Sequence, residues 1–304
     1  MGTGRQKQKR EARWSPRRRR EALWAAFFLA PSLAGLALFT LFPVGASLAL
    51  STTAWDLIGR PAFVALENYR AVAGDPLFWK VLLNTAYYAG GTVPLVVVLS
   101  LALALALNGP IRGRVALRTL YFMPVVSSTV AVAMVWRWIY APFGAVNALL
   151  TRLGLPAIPW LVSPTWAMPA VIGMSVWQNL GYSMVIFLAG LQGIPRHLYD
   201  AAAVDGATGW QRFWRITLPL LSPTTFFVLV MALISSFQVF GQVYMLTEGG
   251  PAYATSTIVF YIYEKAFLSL HMGYASALAW VLFAIIFLLT LAQVRMQREW
   301  VTYD

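Results

Sequence analysis

The sequence contains no cysteine, which excludes disulfides, thiolate metal sites and cysteine nucleophiles. Its two histidines, His197 and His271, are too few and too far apart for a histidine metal cluster. Charge is scarce as well: 11% of the 304 residues are Asp, Glu, Lys or Arg, against about a quarter in soluble domains. With 59% hydrophobic residues the chain could not present a surface that stays in water. A phosphate-binding loop is also missing. Beyond the N-terminal tail the only lysines are Lys80 and Lys265, and neither completes a Gly-Lys-Ser/Thr sequence. Nucleotide chemistry on this chain is thereby excluded.

What is present is six long apolar runs, at 22–50, 81–107, 119–138, 166–193, 220–247 and 274–294. Each reaches or approaches the ~20 residues a helix needs to cross the hydrocarbon core. The runs are continuous rather than alternating, so helices are expected and a barrel is not. The third run is uncharged to Trp136, and Arg137 between Trp136 and Trp138 suits an interfacial end with a snorkelling Arg. The fold class expected is an all-α membrane protein: a basic tail at 1–21, then a membrane domain at 22–304.

The net charge of +12 resolves once it is mapped. Residues 1–21 hold nine of the 23 Lys and Arg, ending in Arg17-Arg18-Arg19-Arg20 beside the first apolar run. That is a juxtamembrane cluster, which keeps a tail in the cytoplasm and meets anionic lipid. No folded basic module accompanies it, so nucleic acid is not an expected partner. The run from Leu23 to Leu50 is too long for the apolar region of a cleaved signal peptide. With the N-terminus inside, 17 basic residues fall on the cytoplasmic side and six outside. Both termini are expected in the cytoplasm.

All eleven acidic residues lie outside the six runs, which hold no lysine or histidine either. A proton-driven carrier normally needs an ionisable relay at membrane depth. Polar groups inside the runs are instead uncharged and cluster in two places. Trp177, Gln178, Asn179, Gly181 and Tyr182 form one group; Ser235, Ser236, Phe237, Gln238, Phe240 and Gln242 form the other. Amides and hydroxyls over aromatic rings suit a neutral, hydroxyl-rich solute. The same residues also serve as hydrogen-bonding glue between helices in lipid, and both readings stay open here. Two external stretches are apolar but too short to span: 143–153, at helical spacing, and Ile258–Leu270, preceded by the turn Gly249-Gly250-Pro251.

The cytoplasmic loop at 196–219 is the most specific feature. It offers an Ala-rich helix, a turn at Gly206, and the bulky Trp210, Phe213 and Trp214. Such a segment could rest on the bilayer or dock on another protein. Asp200-Ala201-Ala202, Gly206, Ile216 and Leu218-Pro219 resemble the coupling loop of ABC (ATP-binding-cassette) importer permeases. That pattern is Glu-Ala-Ala, three residues, Gly, nine residues, Ile, one residue, Leu-Pro. Every spacing is kept, and Asp200 replaces the usual Glu on a shorter stem.

Other stretches resemble the maltose-transporter-like branch of these permeases. They are LENYRAVAGDPLFWKVLLNTAYY, RTLYFMPVVSSTVAVAMVWRWIY and TEGGPAYATSTIVFYIYEKAF. The resemblance covers residues 23–298. It implies a permease subunit of an ATP-driven importer for a carbohydrate or glycerol phosphate, in the cytoplasmic membrane of a prokaryote. It further implies a heterodimer with a second permease, two copies of an ATPase subunit and an external solute-binding protein. ATP and Mg would be held by the ATPase, with no cofactor on this chain. Asp200, Ala201, Ala202, Asp205, Gly206, Trp210, Phe213, Ile216, Leu218 and Pro219 are the implied ATPase-coupling residues. The competing reading is a secondary transporter or facilitator for a neutral solute, working without ATP.

Overall fold

The computed structural model describes residues 16–300, so residues 1–15 of the basic tail lie outside the described residues. The chain divides into two compact units, Met1–Leu50 and Ser51–Asp304. The described residues of the first form one helix, Pro16–Leu36, running through a widened turn at Ala37–Leu41 into Phe42–Ser51. The widened turn sits just before Pro43, which has no N–H to return to Phe39, and Phe42 bonds to the Ala37 carbonyl instead.

In the second unit, Pro76–Asn108, Ala167–Gly193 and Met272–Gln297 are long and apolar enough to cross a bilayer, as is Leu23–Ser51 in the first. Counting each of two bent pairs as one span gives up to six among the described residues. One is Arg114–Val126 with Thr129–Ile139, whose axes differ by 101°. A single third span at 119–138 is therefore not what forms. Pro124 cannot donate to the preceding turn, Ser127 Oγ bonds back to Met123 O at 2.9 Å, Ser127 is extended, and Ser128 has non-helical backbone angles.

The fifth run, expected as one helix at 220–247, is also broken. Ser222–Phe237 is helical, Gln238–Phe240 is not, and the short helix Gly241–Leu246 follows. Irregular backbone at membrane depth is tolerated where protein satisfies its polar groups or a cavity meets them. Here Thr257 Oγ1 donates to the freed Val239 carbonyl at 3.1 Å.

Three apolar clusters hold this unit together. Val96, Met168, Val171 and Met174 join the second and fourth spans to Val239, Val243 and Leu246. Val81 and Phe78 pack with Ile258, Tyr261 and Leu278 of the external helix and the sixth span. Leu107, Met184, Phe187, Leu191 and Leu221 form a third cluster, on which the cytoplasmic loop rests.

The external segments are built structures. Ala145–Arg152 is a helix, and the buried Asn147 side chain fastens the irregular stretch after it. It accepts from Ile158 N (3.0 Å) and Trp160 Nε1 (3.1 Å) and donates to Ile158 O (3.0 Å). Asn84, polar inside the second run, donates to Tyr253 O (2.7 Å) and Ser256 O (3.0 Å), so its work is to clamp an external loop.

Asp75 caps the second span from Leu77 N and accepts from Tyr261 OH (2.5 Å) and Tyr274 OH (2.8 Å). Burial works to raise its pKa, but the two phenols, the Leu77 N–H and the Lys265 charge outweigh it and hold the carboxyl below its usual range. A depressed carboxylate pKa stabilises the fold above the unfolded value and loses that contribution as pH falls through the folded one. Asp75→Asn should therefore lower thermal stability at neutral pH by about 1 kcal/mol. The difference from wild type, followed by thermal unfolding in detergent, should close only when pH falls below the ordinary Asp value of 3.8. A gap that closes near pH 6 would remove Asp75 as its cause.

Candidate functional site

A cavity of about 370 Å³ opens near the midpoints of the second and fourth spans. Both breaks border it, because Thr129 opens the second piece of the third span and Gln238 and Phe240 lie in the gap of the fifth. Tyr88, Thr92 and Val96 come from the second span and Thr129 from the start of the second piece of the third. Asn179, Tyr182, Ser183 and Ile186 come from the fourth. The fifth contributes Ser235, Ser236, Gln238, Phe240, Gly241 and Gln242 at and around its break. No Asp, Glu, Lys, Arg or His lines it.

Seven of the eleven residues expected along a solute path meet in this cavity: Asn179, Tyr182, Ser235, Ser236, Gln238, Phe240 and Gln242. The Gln238 side chain is exposed to it, and Asn179 spends one donor on Ser175 O at 2.8 Å, leaving its carbonyl oxygen free. The remaining four have other places. Gln178 is only 6% exposed and is hydrogen-bonded between helices. It donates to Thr129 Oγ1 (3.2 Å) and accepts from Gln242 Nε2 (3.2 Å), tying the third, fourth and fifth spans at the cavity edge. Trp177 faces away and meets Trp136 edge-on at 5.6 Å. Phe237 is buried in the apolar cluster toward the sixth span. Gly181 lies where the fourth span crosses the third: a Cβ there would sit 2.0 Å from Tyr121 O. Its role is the crossing, not a wall of the cavity.

Tyr88, Thr92 and Thr129 were not among the expected path residues. The first two sit one helical turn apart in a run that reads as uniform lipid-facing apolar sequence. Thr129 is brought in only by the bend.

The cytoplasmic loop forms two short helices. Arg196–Val204 ends in a closure in which Ala207 N bonds to Ala202 O (2.8 Å) and Gly206 N to Ala203 O (3.1 Å). Those are the paired bonds of a left-handed helix stop, and Gly206 carries the required positive φ of 75°. Thr208 then opens the next helix with a capping box: it accepts from Gln211 N at 3.3 Å, and Gln211 Oε1 accepts from Thr208 N at 2.8 Å. The second helix widens at Phe213–Thr217, just before Pro219, as the first unit does before Pro43.

The motif divides by burial. Ile216 and Leu220 pack on the cluster at the cytoplasmic ends of the spans, as do Leu198 and Tyr199. Leu218 and Pro219 are half-buried, so this part anchors the loop. Tyr199 OH and Thr217 Oγ1, 2.9 Å apart, pin the two helices together. Asp200, Ala201, Asp205, Gly206 and Trp210 are exposed, and Phe213 is half-buried against Trp210 and Trp214 at 6.1 and 5.4 Å. Val204, 88% exposed, and Trp214 complete this outward apolar face, and sequence spacing had not marked Val204.

Residues 96–301 match the family described as binding-protein-dependent transport system inner membrane component. Among curated relatives, the chain is 42% identical to a probable ABC transporter permease protein, YesP, of Bacillus subtilis (strain 168), over 94% of each chain. It is 37% identical to the sulfoquinovosyl glycerol transport system permease protein SmoG of Agrobacterium fabrum (strain C58 / ATCC 33970), over 91% of each. Among solved structures, a chain of a bacterial alginate ABC transporter, crystallised with its alginate pentasaccharide-bound periplasmic protein, superposes with a TM-score of 0.81. That match has 26% identity and covers 92% of this chain and 95% of the other.

Proposed function

Since the chain belongs to the binding-protein-dependent transport system inner membrane components, we propose that it is the membrane subunit through which a neutral carbohydrate enters the cell, driven by ATP hydrolysed on a partner. It is a multi-pass membrane protein and a transport component rather than a catalytic subunit. The observation that carries the carbohydrate reading is the uncharged cavity between two broken spans. Its lining combines amides, hydroxyls and the Phe240 ring, which answer the hydroxyls and C–H faces of a sugar. A fixed anion on the solute would find no cation among the lining residues. Nothing ionisable at carboxylate or amine pKa is present to carry a coupled proton.

The work must then reach the cavity mechanically. The loop at 196–219 is continuous with the fifth span through a 65° bend after Leu220, and the half-buried Ile216, Leu218 and Pro219 lie just before it. Displacing the outward face at Val204 and Trp210 would move the fifth span, and with it Gln238 and Gln242. In this reading a second permease completes the cavity wall, two ATPase subunits hold ATP and Mg, and an external binding protein delivers the solute. No cofactor resides on this chain.

The test is uptake of sugars by the assembled complex in proteoliposomes, with and without internal ATP. Import that persists at full rate without ATP would favour an ATP-independent carrier. Gln238→Ala removes a hydrogen-bonding amide worth about 0.5–1.5 kcal/mol, so the sugar concentration for half-maximal uptake should rise about two- to tenfold. The variant should assemble with the ATPase as wild type does. Gln178→Ala should instead disturb assembly, because it unties three spans. Equal assembly defects in both would assign Gln238 to helix packing.

A further inference from the structure

A second, outward-facing groove of about 610 Å³ lies beyond the short helix Gly241–Leu246. Its walls are that helix, the turn at Glu248–Tyr253 and the external helix Ile258–Tyr263 with its extension Glu264–Leu268. Tyr244, Tyr253, Phe260 and Tyr263 line it, together with the carboxylates Glu248 and Glu264. No lysine, arginine or histidine does. The aromatic rings form a continuous run that ends in the first cavity. Phe267 meets Tyr263 at 5.6 Å, Tyr263 meets Tyr244 at 5.4 Å, and Tyr244 stacks on Phe240 at 5.3 Å. Phe240 itself lines the cavity between the spans.

The groove is held in shape from outside. Its turn carries positive φ at Glu248, Gly249, Ala252 and Tyr253. Lys80 Nζ donates to Ala252 O at 2.7 Å and Asn84 to Tyr253 O at 2.7 Å, so the second span fastens the rim. A Cβ on Gly249 would strike the Phe260 ring at 2.6 Å, so the backbone lies directly against that ring. Tyr263 and Tyr244 meet edge to face, their planes at 76°. Residues committed to mere packing do not need a pre-shaped, open wall with two carboxylates on it.

We propose that this groove is an external subsite that holds a neutral sugar ring, passed along the aromatic run to the cavity at Phe240. The proposal rests on the carbohydrate-transport reading. Aromatic faces stack on the apolar C–H faces of a pyranose, and carboxylates accept strong hydrogen bonds from vicinal hydroxyls. The same two carboxylates repel uronates, sulfonates and phosphates, so the subsite also filters solutes by charge before they reach the membrane.

The chain has no cysteine, so a single reporter can be placed on the groove wall as Ser269→Cys. Its reaction with a membrane-impermeant maleimide is followed in the assembled complex with added lactose, an alginate disaccharide or choline. Uptake of the same compounds is measured in parallel. Lactose should slow labelling, and the acidic disaccharide should not. Glu264→Gln should raise the half-protecting concentration about tenfold, the loss of one hydrogen bond to a charged group. Tyr263→Leu should do likewise, while Tyr263→Phe, which keeps the ring, should stay close to wild type. Import of a neutral sugar that never protects the reporter would overturn the subsite. Protection by choline alone would overturn its assignment to sugars. Protection by lactose in a complex that imports no sugar would leave the subsite standing and overturn the transport reading instead. Protection in the reporter chain stands without either further substitution, so a variant that fails to assemble does not decide the matter.

Discussion

Gly206→Val should yield a membrane-inserted permease that has lost its ATPase or hydrolyses ATP without import. Gly206 sits at φ 75°, and no atom lies within 4 Å of where its Cβ would be. The substitution therefore fills no space that another group needs. Its whole effect is backbone strain, about 1–3 kcal/mol for a branched residue in the left-handed region. The loop can relieve that strain only by opening the bonds from Ala207 N to Ala202 O and from Gly206 N to Ala203 O. Opening them shifts Val204 relative to the helix that carries Trp210 and so alters the outward face, while the cavity residues are untouched. Gly206→Asn is the informative control, because Asn tolerates positive φ and should retain most uptake. ATPase retention and sugar uptake measured on the same purified variants decide the matter. Full uptake with Gly206→Val would remove the coupling role from this loop.

The second large effect is expected at Gly181. Gly181→Ala adds one methyl, 2.0 Å from Tyr121 O and 2.9 Å from the Phe122 Cα. Both are main-chain atoms of the third span, so no side chain can rotate aside. The fourth and third spans must separate, at a cost of about 1–3 kcal/mol or more. Separation also pulls Thr129 from Gln178, because the bend carries Thr129 into the cavity edge. Uptake should fall at least about tenfold, with a lower melting temperature for the complex. Gly193→Ala in the same helix meets nothing within 4 Å and should be silent. If the two variants unfold at the same temperature, the close crossing does not carry the load assigned to it.

The contrast between these glycines shows where reading the chain succeeds and where it stops. Gly206 was legible because a helix stop is a local event: the Ala-rich stretch, the glycine and the Thr208–Gln211 box are neighbours in sequence. Gly181 was not, because its neighbour is the Tyr121 backbone, which no spacing connects to it. Placed among path residues by proximity to Asn179 and Tyr182, it belongs to a crossing instead. Val204 was passed over for a related reason, since an apolar residue ending a helix reads as buried until its surroundings are known.

The sequence by itself determined that this is a helical membrane protein, and it singled out the loop at 196–219, whose spacing resembles a coupling loop. Hydrocarbon imposes those conclusions, because it demands long uncharged helices and leaves charged motifs conspicuous outside them. Only the tertiary structure decided that the third and fifth spans are broken, and that residues at the breaks line a cavity. A serine pair after Pro124 or a glutamine beside Phe240 permits a bend without requiring one. What makes the bend stable is remote: Thr257 satisfying the Val239 carbonyl, and Gln178 joining Thr129 to Gln242. Polar groups in lipid must find partners, and which partners they find is settled by packing between helices far apart in the chain.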